Sequence, residues 1–315
     1  DWPGAALGYA FGPDAYDRLT AYADAHGLTV DQVPDAVAAG FADQTATYDY
    51  VKRVVSAGSA AAGQSTFEYE TETAPDGYNL PRTKVIETQP GGAVRTTYLN
   101  FAGEVILGAD SDPATGLTLA TYRQYDDKGR LTLEAPPGAV AGYTDTLDAG
   151  LVVTLNPAAG RIETTSYYAS TSPTISETVA GGVAGRQYQT FIQRGSGGTP
   201  ILQSTTDYFS RTAGTITVYP VAHETRYRNA DGTGGQTTSY AYTYFTGAIQ
   251  PQQVTTTLPA VTTAQNGSGA ADSSTVVYDD RGRVIWARDA AGYLTYTAYD
   301  DVTGGVTKVI EDVDT

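Results

Sequence analysis

One heptapeptide recurs along this chain: YDDKGRL runs from Tyr125 to Leu131 and YDDRGRV from Tyr278 to Val284. A third copy, YDDVTGGV, occupies Tyr299 to Val306, and YLNFAGEV from Tyr98 to Val105 reads as a worn fourth. The residue types dictate what such a unit does. Tyr278 closes a strand, and Asp279 or Asp280 can bond the backbone two residues on. Gly282 supplies the positive φ of a type I turn with a bulge. Arg283 to Arg288 then runs back as the partner strand, Asp289 to Gly292 forms the next turn, and Tyr293 to Tyr299 delivers the chain to the following YD. One hairpin cannot bury a face alone, so these units must stack into a continuous antiparallel sheet.

The composition suits such a sheet. Tyr (24) far outnumbers Phe (7), and Tyr and Thr fit a pleated, half-wet surface. Strict alternation places Phe67 and Tyr69 on one face of a strand, Tyr188, Thr190 and Ile192 on another, and Tyr240, Tyr242 and Tyr244 on a third. Turn clusters at Ala74 to Gly77, Gln89 to Gly92, Gly195 to Gly198 and Asn229 to Gly235 punctuate the alternation at hairpin spacing. The expected fold is all-β, a long meander of hairpins forming a spiral sheet or shell, with a short helical N-terminal segment.

That segment, residues 1–44, is Ala-rich. After Pro13, Asp14 is the expected N-cap, with Asp17 in the first turn. Tyr16, Leu19 and Ala23 recur at helical spacing, and Gly27 ends the helix. A second short helix is expected from the capping-box spacing of Thr29 and Gln32 and the stripe Val33, Val37 and Phe41, with Gly40 near its end. Residues 45–263 form the Tyr/Thr-rich sheet region with degenerate repeats. Residues 264–274 make an exposed loop carrying the sequon Asn266-Gly267-Ser268, and 275–315 are repeat hairpins continuing beyond the chain end.

Charge and missing residue types narrow the partners. With 19 basic and 35 acidic residues the net charge is −16, which repels phosphate backbones and anionic lipid, so no nucleic-acid partner is expected. No stretch is long and apolar enough to insert in a membrane. The absence of Cys removes disulfides, thiolate metal sites and thiol nucleophiles together. The absence of Met makes the chain a processed product or an excerpt of something longer, and an excerpt is the expected case.

The heptapeptides resemble the YD repeats of the RHS family, whose pattern is close to YDxxGRL followed by a D/N-x-x-G turn and a Tyr-rich strand. Tyr278 to Asp301 matches throughout, while Tyr125 to Leu131 matches over the first half before Pro136, Pro137 and Gly138 replace the second turn. The motif residues are Tyr125, Asp126, Gly129 and Arg130; Tyr278, Asp279, Gly282, Arg283 and Gly292; and Tyr299, Asp300 and Gly304. The resemblance implies a non-catalytic structural scaffold in a large secreted or cell-surface protein, with a shell, adhesion or surface-fibre role. Further repeats or neighbouring subunits are the implied partners. Some such proteins carry a self-cleaving segment rich in DPxTGL and DPxG. DPATGL stands here at Asp112 to Leu117 with no DPxG downstream, and no catalytic residue is carried over.

Two residue sets bear on other chemistry. Acids cluster on loops, and Asp110, Asp112, Asp300 and Asp301 are the candidates for calcium, a hard ion that takes oxygen donors. No EF-hand loop accompanies them, and turn chemistry accounts for the same residues. Ladders of Tyr can stack on sugars or pack between strands. The alternative function is accordingly a carbohydrate-binding or glycoside-hydrolase-like β-protein, which requires aromatics and carboxylates to converge in one cleft. His26 and His223, the two histidines, sit in no nucleophile motif, and a surface or packed role is expected for each.

Overall fold

The computed structural model describes residues 6–59, 62–73, 76–144, 147 and 150–312. The expected turn at Ala74 to Gly77 falls partly outside them, as does the tail from residue 313. The fold is an all-β antiparallel meander that divides into two compact units, Asp1–Ile162 with Arg194–Gly198, and Glu163–Gln193 with Thr199–Thr315.

In the first unit, Ala6–Ala10, Gln44–Tyr48, Val54–Ser59, Gly63–Thr71, Thr83–Thr88, Val94–Leu99, Val105–Asp112, Leu117–Tyr125 and Leu131–Ala135 each pair antiparallel with the next. In the second, the same succession runs through Gln187–Arg194, Ile201–Tyr208, Val221–Tyr227, Gly235–Tyr244, Pro251–Thr257, Ser273–Tyr278, Val284–Arg288, Leu294–Tyr299 and Val306–Glu311. Sequential pairing of this kind needs only short turns, which is what the Gly- and Asp-rich clusters supply.

The two units hold together differently. Tyr98, Leu107, Ala109, Ala120 and Leu147 form a buried cluster in the first, and Ala135, Ala139 and Ile162 form another. Full burial of a side chain such as Leu107 stabilises by about 1.5–3 kcal/mol. Among the described residues of the second unit only Val183, Tyr208 and Ala222 are buried apolar groups. Its backbone ladders are supplemented by cross-strand hydroxyl pairs, Thr190 with Ser204 at 2.6 Å and Thr225 with Thr237 at 2.8 Å, and by half-buried tyrosines.

The N-terminal helix spans Pro13–Ala25 and buries Ala15, Leu19 and Ala23. Its N-cap is Gly12, not Asp14: proline occupies the first helical position, where its missing N–H costs nothing, and this places Asp14 inside the first turn. Gly27 ends the helix at φ 67° as expected. The second helix is broken in two. The capping box of Thr29 and Gln32 closes a 3-10 turn at Val30–Gln32, and Pro34 caps a separate short helix, Asp35–Ala38, because the residue before a proline is driven out of helical conformation. Val33 and Ala38 are buried beside Leu19 and Ala23, with Val37 and Phe41 packed against them.

Candidate functional site

The repeat is built on one backbone turn used seven times among the described residues. Residue i donates its N–H to the carbonyl of i+4, and residue i+3, in the left-handed region, donates back to the carbonyl of i. The turns begin at Asp49, Gln89, Asn100, Asp126, Asn229, Asp279 and Asp289. Three of the four residues at i+3 in the Asp49, Asn100, Asp126 and Asp279 turns are glycine, which adopts positive φ without a Cβ penalty.

Those four turns share a side-chain device as well. Asp279 Oδ1 accepts the N–H groups of Arg281 at 3.0 Å and Arg283 at 2.9 Å, and Oδ2 accepts Arg283 Nε at 2.7 Å. Asp126 treats Lys128 and Arg130 in the same way. So does Asp49 with Val51 and Arg53. At the fourth turn Asn100 accepts the Ala102 and Glu104 amides, and its own amide nitrogen donates to Glu104 at 2.8 Å.

A tyrosine from the next strand then fastens the Asp49, Asn100 and Asp279 turns to their neighbours. Tyr69 donates its hydroxyl to the Val54 carbonyl, Tyr125 to Val105 and Tyr299 to Val284, at 2.8–2.9 Å. In each case the accepting residue lies five positions after the turn's Asp or Asn. The arginine that pairs with the aspartate also lies under the tyrosine ring, Arg53 4.5 Å from Tyr69 and Arg283 4.6 Å from Tyr299. Tyr208 to Gln187 and Tyr242 to Val221 repeat the hydroxyl contact where no YD motif precedes them.

Two of these turns differ from the sequence reading. The Asp49 turn is a full copy that YDYVKRV, Tyr48 to Val54, conceals because Lys52 stands in the glycine position at φ 66°. In the worn copy the turn begins at Asn100, so Leu99 occupies the motif's tyrosine position and Tyr98 is instead fully buried in the core. A left-handed conformation costs a Cβ-bearing residue about 1 kcal/mol or more. Lys52→Gly is therefore expected to stabilise the protein by about 1 kcal/mol, read as a raised thermal midpoint; an unchanged or lowered midpoint contradicts the equivalence of this turn with the others.

The remaining motif residues fall into related turns. Gly292 has φ 96° in the Asp289 turn, where Tyr293 N–H donates to Asp289 Oδ1 at 2.9 Å. The Asp300 turn is one residue longer, closed by Gly304 at φ 72°, and Asp300 accepts from the Val302 and Thr303 amides and the Thr303 hydroxyl.

Of the calcium candidates, Asp110 pairs with Arg95 at 2.7 Å, and Asp112 holds its own turn through the Ala114 amide and the Thr115 hydroxyl. The Asp301 carbonyl accepts from Arg281. Among the described residues no group of three or more His, Cys, Asp or Glu is placed to hold a metal ion.

Acid and base act on these groups in opposite senses. Burial works against ionisation of Asp279, but the Arg283 backbone and side-chain hydrogen bonds, the Arg281 amide and the Arg283 charge together hold its carboxyl below the ordinary 3.8. Asp49 and Asp126 are lowered by the same balance. Burial, aided by Asp207 beside Tyr168 and by neighbouring tyrosines beside Tyr242, pushes both from 10.0 up to about 12. A depressed carboxyl contributes stability present above its unfolded value and lost as pH falls through the folded one; a raised tyrosine contributes stability lost as pH climbs from 10 towards 12. Denaturant midpoints are thus expected to fall below about pH 4 and again above about pH 10, and a profile flat at both ends contradicts these assignments.

One pocket in the second unit was hidden from sequence reasoning. Its volume is about 190 Å³, and Tyr168, Tyr188, Asp207 and His223 line it with Thr205, Thr206 and Thr225. The strand register sets Asp207 opposite His223 and Thr205 opposite Thr225. His223 Nδ1 and Asp207 Oδ1 are 2.9 Å apart. Tyr168 donates its hydroxyl to the Thr206 carbonyl at 3.1 Å, and its ring lies 4.5 Å from that of Tyr188. His26 has no such setting: it stacks on Tyr22, with Nδ1 2.8 Å from the Tyr22 carbonyl.

No protein-family model matches this chain, and no curated protein matches it. Among solved structures it is similar to the crystal structure of TcdB2-TccC3-Cdc42, with 14% identity and a TM-score of 0.32 over 86% of this chain and 14% of that one. TcdB2-TccC3 without its hypervariable C-terminal region gives 16% identity and a TM-score of 0.29 over 84% of this chain and 14% of that one. A porin-like protein from Bacteroides uniformis gives 13% identity and a TM-score of 0.27 over 77% and 86%. The chain therefore spans about one seventh of the length of the first two.

Proposed function

We propose that this chain is a non-catalytic structural scaffold, a segment of a YD/RHS-type repeat protein that works outside the cell or at its surface, with further repeats or neighbouring subunits as partners. One observation carries the reading: the same turn, held by Asp or Asn, recurs at Asp49, Asn100, Asp126 and Asp279, and a tyrosine of the next strand fastens it at Asp49, Asn100 and Asp279. A carboxylate engaged by two amides and a guanidinium has its acceptor capacity occupied by its own turn, which suits structure better than proton transfer. Repetition of such a device along a meander builds area rather than a cleft.

The test is a screen of the purified chain against glycan, ester and peptide libraries. The expected result is no turnover with any of them. Turnover abolished by one carboxylate substitution would overturn the scaffold reading in favour of a glycoside hydrolase.

A further inference from the structure

We propose that the pocket between Tyr188 and the Asp207–His223 pair binds a single neutral pyranose residue at the end of a glycan. The site goes beyond the scaffold role and stands on different residues. Four observations combine. Tyr188 is 37% exposed, yet its ring is braced by Tyr168 at 4.5 Å, so an aromatic face is presented with little side-chain freedom left to lose. Tyr168 is itself fixed by its bond to Thr206 and by the close approach of Gly182, where a Cβ would come within 2.3 Å of the ring.

Polar groups complete the wall. Asp207 Oδ1 pairs with His223 Nδ1, and both side chains line the pocket more than a third exposed, so a carboxylate and an imidazole are within reach of a ligand. Thr205 and Thr225 place hydroxyls on the same sheet face, each already paired, with Tyr227 at 3.4 Å and Thr237 at 2.8 Å. An aromatic face beside a carboxylate, an imidazole and hydroxyls is the chemistry that recognises a sugar ring, whose C–H face is apolar and whose rim is hydroxylated. The size selects one ring: 190 Å³ is below the roughly 300–1,000 Å³ of pockets that take drug-sized ligands. Charge excludes an anionic one, since Asp207 lies in the wall and the chain carries −16.

The experiment is saturation-transfer NMR on the full chain with the methyl glycosides of galactose, glucose, mannose, N-acetylglucosamine and N-acetylneuraminic acid. Saturable transfer to the ring C–H protons of at least one neutral glycoside is expected, and none to the anionic one. Tyr188→Ala and Asp207→Asn should each weaken binding at least about tenfold, while Tyr188→Phe retains most of it. Asp207→Asn preserves shape and hydrogen-bonding reach, so it keeps the test decisive should Tyr188→Ala disturb the fold. No saturable transfer from any neutral glycoside, preferred binding of the anionic one, or affinity unchanged in Asp207→Asn would each overturn the proposal.

Discussion

Gly160→Ala is expected to destabilise the first unit by at least about 3 kcal/mol. Gly160 sits at φ 78°, where an L side chain costs about 1–2 kcal/mol by itself. The added Cβ would also meet backbone: Ala139 N at 2.2 Å, Ala139 Cα at 2.3 Å and Gly138 C at 2.3 Å. Backbone cannot rotate away as a side chain can. Ala139 is fully buried in the cluster with Ala135 and Ile162, so displacement opens a packed core. Gly160 O also accepts the Gly195 amide at 2.8 Å, a bond that any shift of the loop strains. Gly92→Ala provides the control, because φ is 85° there and nothing lies within 4 Å of the added carbon. Chemical denaturation should show the control losing about 1 kcal/mol and Gly160→Ala several times more; equal losses contradict the close approach.

Asp126→Ala is expected to cost about 2–3 kcal/mol. The substitution removes an acceptor from the Lys128 amide, the Arg130 amide and Arg130 Nε at once, and hydrogen bonds to a charged acceptor are stronger than neutral ones. Arg130 then loses the partner that sets its direction along the turn. Asp126→Asn should recover part of the loss, since Asn100 already performs the backbone part of this role in the same protein. Urea midpoints of the two variants decide the point. An Asp126→Ala midpoint within error of the parent would show that the backbone turn alone holds the hairpin.

The repeat was legible in the sequence where its residue types are intact. Asp279, Gly282 and Arg283 specify acceptor, left-handed residue and guanidinium in the order the turn requires, and the hairpin from Tyr278 to Tyr299 follows from them. It was illegible at Asp49 because pattern reading takes glycine as the mark of positive φ, and Lys52 adopts that conformation in its place. At Asn100 the frame slipped by one, since Tyr98 drew the alignment to itself although the turn depends on the amide side chain and not on the aromatic ring. The helical segment shows the same limit. Leu19 and Ala23 announce a buried stripe, but whether Gly12 or Asp14 caps it depends on which residue first adopts helical dihedrals.

The tyrosine pocket lies beyond any single-sequence reading. Asp207 and His223 meet because two strands pair in one register, and a slip of one residue would send them to opposite faces. Tyr168 arrives from a segment whose course depends on Gly182, a packing constraint with no periodic signature. The tyrosine contacts between strands are of intermediate kind. Alternation marks Tyr69, Tyr242 and Tyr299 as half-buried, but only the register reveals which carbonyl each hydroxyl reaches.

The central claim is that four turns of unequal sequence are one structural device, and amide hydrogen exchange tests it most directly. The N–H groups of Arg53, Glu104, Arg130 and Arg283 each donate to the side-chain oxygen of the residue four positions earlier. All four are expected to exchange far more slowly than the amides of open loop residues, with comparable protection in each. Fast exchange at Arg53 and Glu104 alongside protection at Arg130 and Arg283 would contradict the account, reducing the device to the copies with intact motifs.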